Sequence, residues 1–189
     1  MKIAFGMFRM QPMTNGHFFS FSQMLRDNDI VIIGLGSVQV EGTRDNPFSA
    51  KLRSDMIRKV FGEVNKGCKS KIKIVFINDI GAVEKEDWVN HCLNKIKQAN
   101  LPTPTRYYAG SETDLVWFNN AVNLNGEKIK MINLNRHSTN HLSGTLVRQS
   151  ISNGTSEWKS HVPECLVDFI EENYPKYLLL DYNRKHRKD

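Results

Sequence analysis

Five short apolar segments, rich in β-branched and aromatic residues, recur along the chain and are separated by stretches with helical spacing of their apolar positions. They read KIAFGMF (2–8), DIVIIGLG (29–36), KIKIVFI (71–77), TRYYAG (105–110) and KIKMINL (128–134). The intervening amphipathic stretches lie near 17–27, 49–62, 84–99 and 113–122. Strands separated by helix-length segments imply βαβ units, hence a mainly parallel sheet covered by helices on both faces. The expected fold is therefore α/β. Two C-terminal helical stretches are expected near 143–153 and 163–174, with Pro163 suited to a first turn and Pro175 just past the last. In such a sheet the ligand site lies outside the carboxyl ends of the strands, so function is sought in the loops that follow them.

With 189 residues, 40% of them hydrophobic, the chain is long enough to bury one full core, and a single domain over 1–189 is expected. The opening MKIAFGMFRM is too short for a membrane span, and the later apolar runs are strand-sized, so a cytoplasmic protein is expected, with no membrane partner. Cys68, Cys92 and Cys165 are far apart and form no C-x-x-C pair, which signals neither a disulfide framework nor a thiolate zinc site. The formal charge of +6 favours an anionic partner. Part of that charge sits in NRKHRKD (183–189), expected to be a solvated basic tail.

The first strand-to-helix loop is RMQPMTNGH (9–17). Pro12 ends the extended segment, and Gly16 permits a tight turn or a close approach to a ligand. His17 then falls at the start of a helix whose core stripe is Phe18, Phe21 and Leu25. A helix N-terminus has unpaired N–H groups and favours phosphate, and Thr14 and His17 can add donors there. Neither G-x-G-x-x-G nor G-x-x-x-x-G-K-[ST] occurs, so a nucleotide would be held in another way. Late in the chain, LSGTLVRQSI (142–151) puts Ser143 at an N-cap and Thr145 in the first turn. Arg148 lies on the same face, while Val147 and Ile151 point to the core. An ordinary capped helix with a solvated arginine is the plain alternative.

These two stretches resemble the paired signatures of the [HT]-x-G-H nucleotidyltransferase superfamily, and in particular the archaeal-type nicotinamide-nucleotide adenylyltransferases. GLGSVQV with NPFSAKLR, DIGAVEKEDWVNH, YAGSETDLV and EWKSHVPECLVDFI extend the similarity over most of the chain. Three positions depart from the family pattern: Phe8 stands where a glycine is usual before Arg9, the asparagine of S-G-N is replaced, with Glu112 nearby, and Arg44 precedes DNPF out of the register expected for the family's ATP-contacting basic residue. The resemblance implies a Rossmann-like nucleotidyltransferase domain that transfers AMP from ATP to nicotinamide mononucleotide or nicotinate mononucleotide, giving the dinucleotide and pyrophosphate. It implies catalysis by Thr14, His17 and Arg148, and an ATP site of Arg9, Gln11, Thr14, Gly16, His17, Arg136, Ser143, Gly144, Thr145 and Arg148. Asp79, Trp88 and Gly110 would face the acceptor. Mg2+ or another divalent cation would be carried mainly by the phosphates rather than by a protein cage.

Trp117 and Trp158 carry no such placement and are expected in the core; His91 is expected to be structural. His137 and His141 fall in a loop before the second signature, where no H-E-x-x-H pattern makes them metal ligands. Other readings are a superfamily relative acting on phosphopantetheine or a polyol or sugar phosphate, and a basic nucleic-acid-binding module. The basic stretch KGCKSKIKI (66–74) lacks the interleaved aromatics of the latter, so no nucleic acid is expected. The resemblance also admits a homo-oligomer.

Overall fold

A computed structural model describes residues 1–63, 71–81, 83–134 and 143–179. Cys68, Arg136, His137, His141 and the basic tail lie outside these residues.

The five apolar segments form five strands: β1 (Ile3–Phe8), β2 (Ile30–Leu35), β3 (Ile72–Phe76), β4 (Arg106–Ala109) and β5 (Lys130–Asn133). They assemble into one sheet in the order β3-β2-β1-β4-β5, and every pair is parallel. The connecting helices are α1 (Asn15–Asp27), α2 (Ala50–Glu63), α3 (Lys85–Gln98) and α4 (Glu112–Phe118), followed by α5 (Gly144–Ser152) and α6 (Val167–Asn173). The helix expected over 113–122 ends at Phe118; Asn119 leaves it as an extended cap, and Asn120 takes a left-handed φ of 63°. The stretch at 163–174 opens as a 3-10 turn (Glu164–Leu166) before α6, with Pro163 just ahead of it.

The period-2 alternation of the central strands splits the interior into two layers. Ala4, Phe8, Val31, Ile33 and Leu35 face one core, against Phe21 and Met24 of α1, Met56 and Val60 of α2, Val147 of α5 and Ile170 of α6. Ile3, Phe5 and Ile32 face the other, against Val89, Leu93 and Ile96 of α3 and Phe118 of α4. Trp158, 5% exposed, belongs to the first core, as expected. Chain order runs outward from β1 to β3 on one side and then resumes at β4 on the other. The carboxyl ends of β1 and β4 therefore flank a crevice, where such sheets hold ligands.

No helix among the described residues is long and apolar enough to cross a membrane. Cys92 is fully buried, and burial pushes its thiol up to about 12, so it is inert at neutral pH.

Candidate active site

A cavity of about 750 Å³ opens at that crevice, a size suited to a small-molecule ligand. Its walls come from the loops after β1, β3 and β4 and from the start of α5.

The chain leaves β1 through Met10, whose φ of 52° is left-handed and unusual for a residue with a side chain. The turn anticipated at Gly16 is thus made six residues earlier. Gly16 is helical, in the first turn of α1, and lines the cavity. Gln11 is 2% exposed, and its amide is engaged twice with Phe48: Nε2 donates to the carbonyl at 2.8 Å, and Oε1 accepts from the N–H at 2.9 Å. Its side chain fastens the loop to the start of α2, so its service to a ligand runs through that position. The Gln11–Pro12 peptide is cis.

Thr14 caps α1, and His17 is the third helical residue. The backbone N–H of Thr14 donates to His17 Nδ1 at 3.1 Å, and Thr14 Oγ1 lies 2.9 Å from the same nitrogen. An amide N–H can only donate, so Nδ1 is the acceptor and the proton of the neutral ring sits on Nε2. The imidazole thereby becomes a donor at its outer end. Phe8 contacts the imidazole edge-on at 6.1 Å and Phe21 at 4.7 Å, which backs the ring against the core.

The second signature meets the first directly. Ser143 caps α5 by accepting from Leu146 N, and Arg148 one turn later is 6% exposed rather than solvated. Arg148 Nη1 donates to the Gln11 carbonyl at 2.7 Å, and Nη2 to Thr145 Oγ1 and Asp45 Oδ1, each at 3.3 Å. Gly144 packs so closely that a Cβ there would sit 2.8 Å from the Gln11 carbonyl oxygen. Burial and the neighbouring Arg9 hold the Arg148 guanidinium below its ordinary pKa, although it stays charged at any physiological pH. Its carboxylate partner, Asp45, is 79% exposed at the rim and can yield to a stronger anion.

Asp79, Trp88 and Gly110 line the same cavity, with Ser111, Asp114 and Trp117, from the β3–α3 and β4–α4 segments, whose helices pack on the other face of the sheet from α1 and α5. Gln39 holds Asp79 twice, donating to its carboxylate at 3.0 Å and accepting from its N–H at 3.1 Å. His91 stacks on Trp88 at 5.7 Å while its Nε2 lies 3.1 Å from the Asn78 carbonyl, a structural role as expected. Trp117 does not join the core: it is 43% exposed and forms cavity wall. Phe118 takes the inward position instead, stacked on Tyr107 at 3.9 Å. Arg44 does not line the cavity.

Arg53, the last residue of NPFSAKLR, has no role assigned from the sequence. It is 0% exposed and donates to the carbonyls of Arg9 at 2.7 Å, Gly36 at 2.8 Å, and Ser37 and Ser49 at 3.4 Å. A buried cation satisfied by carbonyls alone ties the ends of β1 and β2 together beneath the cavity. Its only advance signal was its place in NPFSAKLR, where a helical arginine reads as solvated.

The cavity is thus bipolar. Arg9, His17 and Arg148, with the N-termini of α1 and α5, make one end a donor-rich anion cradle. Residues 3–150 match the family model described as cytidylyltransferase-like. The chain belongs to the cytidylyltransferase-like family. It is 31% identical over 172 residues to a nicotinamide-nucleotide adenylyltransferase of Thermoplasma volcanium, covering 89% of this chain and 85% of the relative. It is 32% identical over 171 residues to that of Methanococcus maripaludis, covering 89% and 88% respectively. Among solved structures, a bifunctional NMN adenylyltransferase/ADP ribose pyrophosphatase from Francisella tularensis superposes with a TM-score of 0.75 at 18% identity. That match covers 97% of this chain, which spans about half (54%) of the bifunctional protein. A second structure of the Francisella protein is complexed with AMP and a manganese ion. Of the paired signatures, Arg9, Gln11, Gly16, His17, Ser143, Gly144, Thr145 and Arg148 line the cavity, whereas Thr14 is fully buried beneath His17 and does not.

Proposed function

We propose that the chain transfers the adenylyl group of ATP to the 5′-phosphate of nicotinamide mononucleotide, giving NAD and pyrophosphate. The observation that carries this reading is the bipolar cavity: an anion cradle built from two loops 137 residues apart, joined by Arg148, facing an aromatic and acidic end. The likeness to archaeal enzymes of that name supports the choice of donor and acceptor.

The acceptor's 5′-phosphate is already ionised near neutral pH, so it needs no covalent enzyme intermediate and no strong base. One of its oxygens bonds to the α-phosphorus as the bond from that phosphorus to the bridging oxygen of the β-phosphate breaks. Pyrophosphate carries away the electron pair. The enzyme's task is alignment and stabilisation of the developing charge. His17 Nε2–H donates to the α-phosphate, whose charge spreads as the bonds exchange. Arg148, Thr145, Ser143 and the N–H groups opening α5 hold the β- and γ-phosphates, and Arg9 adds charge at the entrance. Asp45 leaves Arg148 as the phosphate arrives. On the acceptor side Trp88, pinned by His91, stacks on the pyridine ring.

The cradle is made of donors, with Asp45 as an exposed carboxylate at its rim, and among the described residues no three His, Cys, Asp or Glu side chains cluster as a cation site. This donor set fits a divalent cation that would be carried by the phosphates themselves and would supply charge neutralisation there. Pyrophosphate release with ATP and magnesium, measured against nicotinamide mononucleotide, nicotinate mononucleotide, phosphopantetheine and glycerol phosphate, tests the proposal. Turnover with a pyridine nucleotide is expected; silence from both pyridine nucleotides overturns it.

A further inference from the structure

We propose that Asp114 and Trp117 make the acceptor end selective for a cationic pyridine amide over the corresponding pyridine acid. The inference rests on the adenylyl-transfer reading, which sets the direction in which the acceptor lies. With the triphosphate in the cradle, the acceptor's 5′-phosphate must meet the α-phosphate near His17. Its ring then points to the far end, where Asp79, Trp88, Asp114 and Trp117 line the cavity.

The packing of α4 fixes which side chains face that ring. Phe118 is fully buried on Tyr107, and Leu115 packs against the same core, so the inward stripe of the helix is taken. Asp114 and Trp117, three residues apart on one face, are left to the cavity. Asp114 is fixed in place: Ser111 Oγ donates to its carboxylate at 2.7 Å, and its own N–H donates to Ser111 Oγ at 3.2 Å. The carboxylate lies close enough to the buried Tyr107 hydroxyl to add to the upward shift that burial causes there. Asp79, held by Gln39, supplies a second carboxylate. None of the described lining residues contributed by the β3–α3 and β4–α4 segments is a lysine, arginine or histidine.

The ring nitrogen of a pyridine nucleotide is quaternary and positive. With a neutral carboxamide, the ring is a net cation, attracted by two carboxylates and by the face of an indole. With a carboxylate substituent, the ring's net charge vanishes, and the added anion meets the carboxylates with no cation from the β3–α3 or β4–α4 lining to pair with. Both carboxylates are exposed, so solvent screens them and the discrimination is moderate.

The test is the ratio of kcat/KM for nicotinamide mononucleotide to that for nicotinate mononucleotide, in wild type and in Asp114→Asn, Asp114→Glu and Trp117→Leu. Asparagine keeps the backbone N–H that caps α4 and removes only the charge. Wild type is expected to prefer the amide. Asp114→Asn should narrow the preference by about three- to tenfold, Asp114→Glu should retain most of it, and Trp117→Leu should raise KM for the amide more than it lowers kcat. An active wild type whose ratio is the same in Asp114→Asn, or which prefers the acid, overturns the selection alone. A wild type inert toward both pyridine nucleotides overturns adenylyl transfer and this inference with it.

Discussion

At the scale of single residues, the structure gives His17 a defined tautomer, and that has a testable consequence. Thr14 N–H occupies Nδ1, so the donor proposed for catalysis is Nε2–H. Glutamine can place an amide N–H near the Nε2 position, whereas asparagine can replace only the Nδ1 end. His17→Gln should therefore retain more activity than His17→Asn, and His17→Ala should lower kcat by roughly a hundredfold, the cost of one transition-state donor. Equal losses in all three would place the proton elsewhere. Arg53 is a different kind of residue, because its partners are carbonyls that cannot do without it. Arg53→Met leaves the Arg9 and Gly36 carbonyls without their donor, and unfolding in urea should show a loss of about 3 kcal/mol. His17 and Arg148 were singled out in the sequence by the resemblance to the paired signatures, each stretch alone reading equally as an ordinary capped helix, and both line one cavity. Arg53 was not, since nothing in NPFSAKLR tells a buried arginine from an exposed one; only the carbonyls it meets do so. Trp117 was misplaced for a related reason: α4 is short, and the inward position fell to the next aromatic, Phe118.

At the scale of elements, α5 is the piece on which the cradle depends. Its N-terminus rests on the Gln11 carbonyl through Gly144, and Arg148 reaches the same oxygen from one turn later. Gly144→Ala puts a carbon 2.8 Å from that oxygen, and a backbone atom cannot swing aside as a flexible side chain would. The helix must retreat, so KM for ATP should rise by roughly tenfold, at a stability cost of about 1–3 kcal/mol. Unchanged ATP kinetics would mean that α5 does not form one wall of the nucleotide site. The five strands were plain from apolar runs spaced by helical patterns: burial on both faces keeps β1 and β2 free of polar residues, while β3, β4 and β5 carry Lys73, Arg106 and Lys130 beside apolar residues. The ends of elements were less plain. Chain reversal after β1 falls on Met10 although glycine is the usual residue for that conformation, and a core that holds Met10 at 2% exposure outweighs the local preference.

At the scale of the whole molecule, the sheet order places β1 and β4 side by side, and the loops from both open onto one crevice. Residues near the start of the chain and near position 148 thus line one cavity. A ligand that bridges them should stabilise the whole fold: a non-hydrolysable ATP analogue at a hundred times its Kd should add about 2.7 kcal/mol. The gain should largely disappear in Arg148→Ala. The position of the cavity could be anticipated from the strand pattern; its two-ended charge could not, because it depends on which faces of α3 and α4 turn inward. The most direct test is a crystal structure with a non-hydrolysable ATP analogue. The account predicts phosphate oxygens within about 3.2 Å of His17 Nε2 and of the Arg148 guanidinium, with the α-phosphate nearer the imidazole and Asp45 withdrawn. A triphosphate bound at the Trp88–Trp117 end, with Arg148 still paired to Asp45, would contradict it.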